Sequence, residues 1–366
     1  MEETDLKTRT VGLLADPGIA QSLANKVSTR LESVLNSKYQ DEVTWTVTVD
    51  PMSLPMNESG QVVLIKHASR LREKHEWDFV IYLTDSPQYE QGRPVRSMIS
   101  CDYGAGTVVL PSIGVPTQRR VAQSLADALH ELAEGDKPMP KPTTLGRVMS
   151  VQGSLDSAND SGERYDSIEG IRGRTMLVVG MILGNRPWRL VPRLTSALAG
   201  AAATGAFGVF YTSIWSMADY LSFGRLVLIT VVSVLVLSTW LIFHNRLWER
   251  PQGARRKEKL LLYNLATVLT VVIAAAAMYV LLFIVLLLGS LVVIDQAFLS
   301  FELDHEATMS EYLNLAWLAA SLGTLGGAIG SSFDEVESVQ RATFSQREVE
   351  RRNIELGSSA DGEKDV

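Results

Sequence analysis

Residues 260–294 read LLLYNLATVLTVVIAAAAMYVLLFIVLLLGSLVVI, thirty-five in a row without one charged side chain. No soluble core helix needs such a run, whereas a membrane crossing needs roughly 17–25 apolar residues to cover ~30 Å of hydrocarbon. Three more stretches of this kind flank it. Residues 194–215 are uncharged and rich in Ala and Gly, residues 225–243 are strongly apolar after a leading Arg, and residues 312–330 are again uncharged. Residues 194–330 therefore read as an all-α transmembrane bundle of about four helices.

The count rests on the long stretch. A straight helix of that length would measure about 52 Å at ~1.5 Å per residue, too long for an upright span. It forms either one tilted helix or two short ones turning near Gly289–Ser290. Charge bias decides. Arg246, Arg250, Arg255, Arg256, Lys257 and Lys259 separate the second and third spans. Arg172, Arg174, Arg186, Arg189 and Arg193 precede the first, and Arg341, Arg347, Arg351 and Arg352 follow the last. Asp295–Glu311 instead holds five acids and no Lys or Arg. Basic segments stay cytoplasmic, and only one crossing between residues 260 and 294 puts all three on that side. Both termini are then cytoplasmic in a cell-membrane protein. Met1–Thr10 is polar, with three acids and no apolar h-region, so no cleaved signal peptide is expected.

Upstream the pattern changes. Residues 1–135 alternate strand and helix signals: TVGLLA (10–15), then apolar positions 19, 23, 27, 31 and 35 at helical spacing, VTWTVTV (43–49), a helix over 60–75, DFVIYL (78–83), strands over 94–100 and 107–111 around Gly104-Ala105-Gly106, and a closing helix over 118–133. This order implies a soluble three-layer α/β domain with a mainly parallel sheet and room for an antiparallel edge. Residues 136–173, with KPMPKP and then many Ser, Asp and Gly, lack periodicity and read as a flexible linker. Residues 174–193 pair an eleven-residue apolar run with Arg186-Pro187-Trp188-Arg189, which suits an interfacial helix or, alternatively, a re-entrant piece. Residues 331–366 form a charged cytosolic tail whose pattern over 334–356 is helical.

Among candidate chemical groups, Asp16 and Asp85 each follow a predicted strand, where open α/β sheets bind ligands. Asp before Pro is also an ordinary helix N-cap, and Asp-Ser-Pro an ordinary turn. His130-Glu131 in HELAE lacks the second His of a zincin helix, and Glu134 occupies its position. No metal, catalytic residue or cofactor is assigned, and GxxxxGK[ST], GxGxxG and GxSxG are all missing. Cys101 reads as a small apolar strand residue and excludes an intrachain disulfide, being the only cysteine. A net charge of −7 argues against a general nucleic-acid partner.

In the apolar half, Gly323, Gly326, Gly327 and Gly330 form overlapping GxxxG frames, and Gly200, Thr204 and Gly208 share one helix face. Such faces allow close backbone approach, so the first and last spans are expected to pack together or across a homo-oligomer. Asn264 and Asn314 read as helix-end hydrogen-bonders, and no Asp, Glu, Lys or His lies deep in a span, against a proton- or ion-coupled transporter.

The strings LLADPG (13–18), DFVIYLTDSP (78–87), NRPWRLVP (185–192), LYNLATVLT (262–270) and GGAIGSSFDEVESV (326–339) give the chain a resemblance, along nearly its whole length, to an uncharacterised, mainly actinobacterial family of multi-pass membrane proteins with an N-terminal soluble α/β domain. The resemblance implies a recurrent pairing of domain and bundle and transfers no functional residue. The expected partners are the lipid bilayer and a cytosolic protein that the soluble domain senses, binds or scaffolds. A transporter or channel component gated by that domain, and a membrane-tethered enzyme or ligand-binding domain using the two aspartates, are the alternatives.

Overall fold

The computed structural model describes residues 7–38, 43–57, 61–90, 93–134, 155–156, 163–168, 170–249 and 257–344. The chain divides into two compact units, the first including residues 1–184 and the second residues 185–343.

The first unit is built on a mixed sheet. Its elements are β1 (Lys7–Ala15), α1 (Ile19–Lys38), β2 (Val43–Pro51), α2 (Ile65–His75), β3 (Phe79–Thr84), β4 (Tyr89–Glu90), β5 (Arg93–Ser100), β6 (Ala105–Val109), α3 (Gln118–Glu134), β7 (Leu155–Asp156), β8 (Glu163–Ser167) and α4 (Gly170–Asn185). The strand order is β2-β1-β3-β6-β5-β8-β7, with β4 paired to β5 alone. Strands β2, β1, β3 and β6 are parallel, and β5, β8 and β7 add an antiparallel edge.

Alternation along the strands sorts the core into two faces. Val11, Leu13, Ile81, Leu83 and Val108 pack with Val27, Leu31 and Leu35 of α1 and Leu125 and Leu129 of α3. Leu14, Val80 and Tyr82 point the other way, toward Ala68 and Leu71 of α2 and Trp77. Gly12 lies on this second face, and a Cβ there would overlap the Trp77 ring, so the strand needs glycine at that position. Helices on both sheet faces make the three layers.

Two expectations shift. The hairpin turn is Cys101–Gly104, with Gly104 at φ 57°, while Ala105 and Gly106 already belong to β6. Most of residues 136–173 lie outside the described residues, yet 163–167 is no linker: it pairs with β5 from Ser100↔Glu163 to Val95↔Ser167. Its inward positions, Tyr165 and Ser167, are buried. One aromatic in five residues is too faint a period-two signal to read amid Ser, Asp and Gly. The apolar run after it is α4, which ends at Asn185 and gives way to 3-10 turns at Pro187–Arg189 and Val191–Arg193. Part of α4 packs on the α/β domain: Gly180 abuts the Pro111 backbone, and the Met176 side chain abuts Gly114.

The second unit contains α5 (Thr195–Phe210), α6 (Thr212–Tyr220), α7 (Phe223–His244), α8 (Lys257–Val293), α9 (Gln296–Leu303), α10 (Met309–Gly330) and α11 (Val336–Thr343). Among the described residues, three helices are long and apolar enough to cross a membrane: Phe223–His244, Lys259–Val293 and Met309–Phe333. A fourth crossing would consist of α5 and α6 together, bent by 85° at Tyr211. The first predicted span, 194–215, is thus broken before its end. The 35-residue apolar stretch is one continuous helix without a turn at Gly289–Ser290. Leu228, Leu235, Val280, Ile284 and Leu288 are exposed on α7 and α8, an apolar outer surface far beyond what water-facing helices carry.

Candidate functional site

In the first unit the chain leaves β1 toward β2 on one side and returns to β3 on the other, which makes the β1/β3 tips the switch point of the sheet. Asp16 and Asp85 are the residues just beyond those strands. Ala15 pairs with Leu83, and the Asp16 N–H donates to the Leu83 carbonyl at 3.0 Å, so the two aspartates are carried by adjoining strand ends. Around them Thr84, Ser86, Gln88 and Ser112 are all buried.

The tips are covered. Asp16 is fully buried and accepts a hydrogen bond from the Tyr82 hydroxyl, which accepts in turn from the Leu54 N–H at 3.2 Å. Gln88 Oε1 accepts from the Val62 N–H at 3.0 Å, and Gln61 Nε2 donates to the Tyr89 carbonyl. The segment after β2 is thereby sewn down over the strand ends. A buried carboxylate held by hydrogen bonds is affordable where an isolated one is not, so in this arrangement Asp16 ties the covering segment to the sheet. The sequence placed both aspartates at the tips; it gave no sign of Tyr82, whose hydroxyl sits inside an apolar strand run.

His130 is buried on α3, not on a helix surface. Neighbouring Glu131 faces Arg164 of β8 at 4.0 Å, and burial pushes its carboxyl up against the pull of Arg164. Burial likewise raises Asp166, which Arg96 approaches to 3.2 Å. These pairs fasten β8 to α3 and β5. Cys101 Sγ is half-buried in the turn, 3.8 Å from the Glu131 carbonyl. Among the described residues no three His, Cys, Asp or Glu side chains gather to hold a metal ion.

In the second unit the small-residue faces of α5 and α10 meet within one chain. A Cβ on Gly323 would fall 2.6 Å from the Ala201 carbonyl oxygen, one on Gly330 2.5 Å from that of Ser196, and one on Gly200 3.1 Å from that of Gly326. Gly326 faces Thr204, Gly327 lies 3.0 Å by the same measure from the Ala197 oxygen, and Gly208 faces Ala319. All seven residues line this seam. Asp334 closes its end, accepting from the Ser196 and Ala197 N–H groups at 2.8 and 3.2 Å and so capping α5 from a distant part of the chain.

A polar hub escaped the sequence reading. Trp317 Nε1 donates to Thr230 Oγ1 at 2.6 Å, and Tyr279 Oη and Ser321 Oγ lie 3.1 and 3.2 Å from that same oxygen. Three helices, α7, α8 and α10, thus share one hydrogen-bonded knot. One or two modest polar residues per helix, set in apolar runs, are all the sequence displays of it. Asn264 hydrogen-bonds both backbone groups of Glu249, at 2.9 and 3.0 Å, pinning the segment after α7 to α8. No protein-family model, curated protein or solved structure matches this chain.

Proposed function

We propose that this chain is a multi-pass membrane protein, N- and C-termini cytoplasmic, whose α/β domain binds or scaffolds a cytosolic partner while the helix bundle anchors it. The α5–α10 seam carries the reading. Backbones in glycine-mediated contact leave no space between these helices for a solute, and Thr230, Tyr279, Trp317 and Ser321 hydrogen-bond one another and nearby backbone carbonyls. Such a bundle is built to stay closed.

A second reading, a transporter or channel component, draws support from the break at Tyr211, because interrupted helices commonly frame substrate sites in transporters. The full chain reconstituted in liposomes separates the two. On the anchoring reading, ion flux stays at the level of protein-free liposomes. Flux above that level, reduced in a Gly326→Leu variant, would overturn it. A thermal-shift screen of the same protein against nucleotides and divalent metals addresses the enzyme alternative: stabilisation abolished by Asp16→Ala and Asp85→Ala would establish a ligand site at the strand tips.

A further inference from the structure

We infer that the end of the bundle holding the N-terminus of α5 and the C-terminus of α7 is a binding surface for anionic phospholipid headgroups, centred on Arg189, Arg193 and Arg246. The inference rests on the membrane reading above and adds a lipid class and named residues to it.

The fold gathers these arginines from two separate segments. The 3-10 turns at Pro187–Arg189 and Val191–Arg193 contact α8 and α11. Gln340 of α11 donates to the Asn245 carbonyl at 2.9 Å, and Asn264 of α8 holds Glu249, so the segment 245–249 is secured to the same two helices. Both segments therefore sit around α11 and the N-terminal half of α8. Arg189, Arg193 and Arg246 are exposed, and none has an acidic partner among the described residues. Trp188 and Trp248, one beside each arginine group, are also exposed, at 58% and 46%.

This composition fits a phosphodiester at a bilayer surface. Guanidinium forks bind phosphate oxygens in pairs, which an ammonium does not. Indole rings prefer the headgroup level, where the ring is half in hydrocarbon and the N–H meets polar groups. The opposite end of the bundle provides the contrast: Asp219, Asp295, Glu302, Asp304 and Glu306 lie there, with Arg225 the sole arginine on the described helices and loops of that end. An anionic lipid would be attracted at one end and repelled at the other.

The test uses the full chain in neutral detergent, titrated with phosphatidylglycerol or phosphatidylcholine and followed by native mass spectrometry and thermal melting. Phosphatidylglycerol should be retained and should raise Tm, whereas phosphatidylcholine, inorganic phosphate and a poly-glutamate peptide should do neither. Removing one arginine near an anionic lipid surface weakens association roughly fivefold. Arg189→Gln with Arg193→Gln should accordingly lower phosphatidylglycerol affinity by more than tenfold while leaving the lipid-free Tm unchanged; Arg225→Gln should leave the affinity intact. If the lipid-free Tm falls, Arg246→Gln alone serves, with a roughly fivefold loss expected. Equal retention of the two lipids, equal loss in Arg225→Gln, or stabilisation by the peptide or by phosphate instead would overturn the inference. Failure of the protein to enter bilayers at all would refute the membrane reading separately.

Discussion

Tyr82 shows how one hydroxyl can organise a strand tip. It donates to buried Asp16 and accepts from the Leu54 N–H, so Tyr82→Phe removes two buried hydrogen bonds at once. Each such bond contributes roughly 0.5–1.5 kcal/mol, more where one partner is charged. Urea unfolding of the full chain should show a loss of at least 1 kcal/mol by that estimate, larger than for an exposed Tyr103→Phe control. The position of Asp16 was legible because Asp-Pro-Gly ends an apolar strand; its burial was not, because the covering segment carries only scattered apolar residues, Leu54, Val62 and Leu64. A second prediction concerns His305, whose Nε2 lies 3.1 Å from Asp219. The hydrogen bond to Asp219, then that to the Glu306 carbonyl, raise the imidazole above its ordinary value. A raised folded-state value means that the contribution is complete below the unfolded value of ~6.5 and is lost as pH rises through the folded one. Tm should therefore fall as pH rises above about 6.5, and the Asp219→Asn variant should fall less over the same rise.

Between elements, contact quality at the α5–α10 seam differs from that elsewhere on the same helices. Gly323→Ala would drive a methyl into the Ala201 carbonyl and cost roughly 1–3 kcal/mol. Gly289→Ala, with open space around it on α8, should instead stabilise by up to about 1 kcal/mol through helix propensity. Thermal melts in one detergent compare the two directly. The glycine frames were readable from spacing alone, because period-four small residues in an apolar run have few other uses. The β8 strand was not, since its pairing with β5 depends on partners more than sixty residues away. A soluble fragment ending at residue 135 lacks β8 and exposes the outer edge of β5, an invitation to strand pairing between copies. Gel filtration should find that fragment associated and one ending after Ile168 less so.

At the scale of the whole molecule, the expected topology rests on the charge bias along the chain, which is a sum over many residues. The uncharged stretch at 260–294 could not settle its own fate; the basic and acidic segments around it favoured one helix over a hairpin, and α8 is one continuous helix. The break at Tyr211 left no such trace: Tyr211-Thr212-Ser213 is compatible with a continuous span, and the two helices bent by 85° there both contact α10. Orientation has its own check. In a Cys101→Ser background, cysteines placed at Asp304 and at Arg246 should label with an impermeant thiol reagent from opposite sides of the membrane. Labelling of both from one side would sink the proposed topology.

The 37 residues of α8 extend about 55 Å at ~1.5 Å per residue, whereas the 22 of α7 or α10 extend about 33 Å. Neighbours of unequal length cannot all match one slab of hydrocarbon. In a bilayer near 30 Å thick, α8 must lean steeply or push apolar turns into the headgroups, and a thicker bilayer relieves that mismatch. If α8 crosses the bilayer, the melting temperature should climb with acyl-chain length across a lipid series until the other helices become too short.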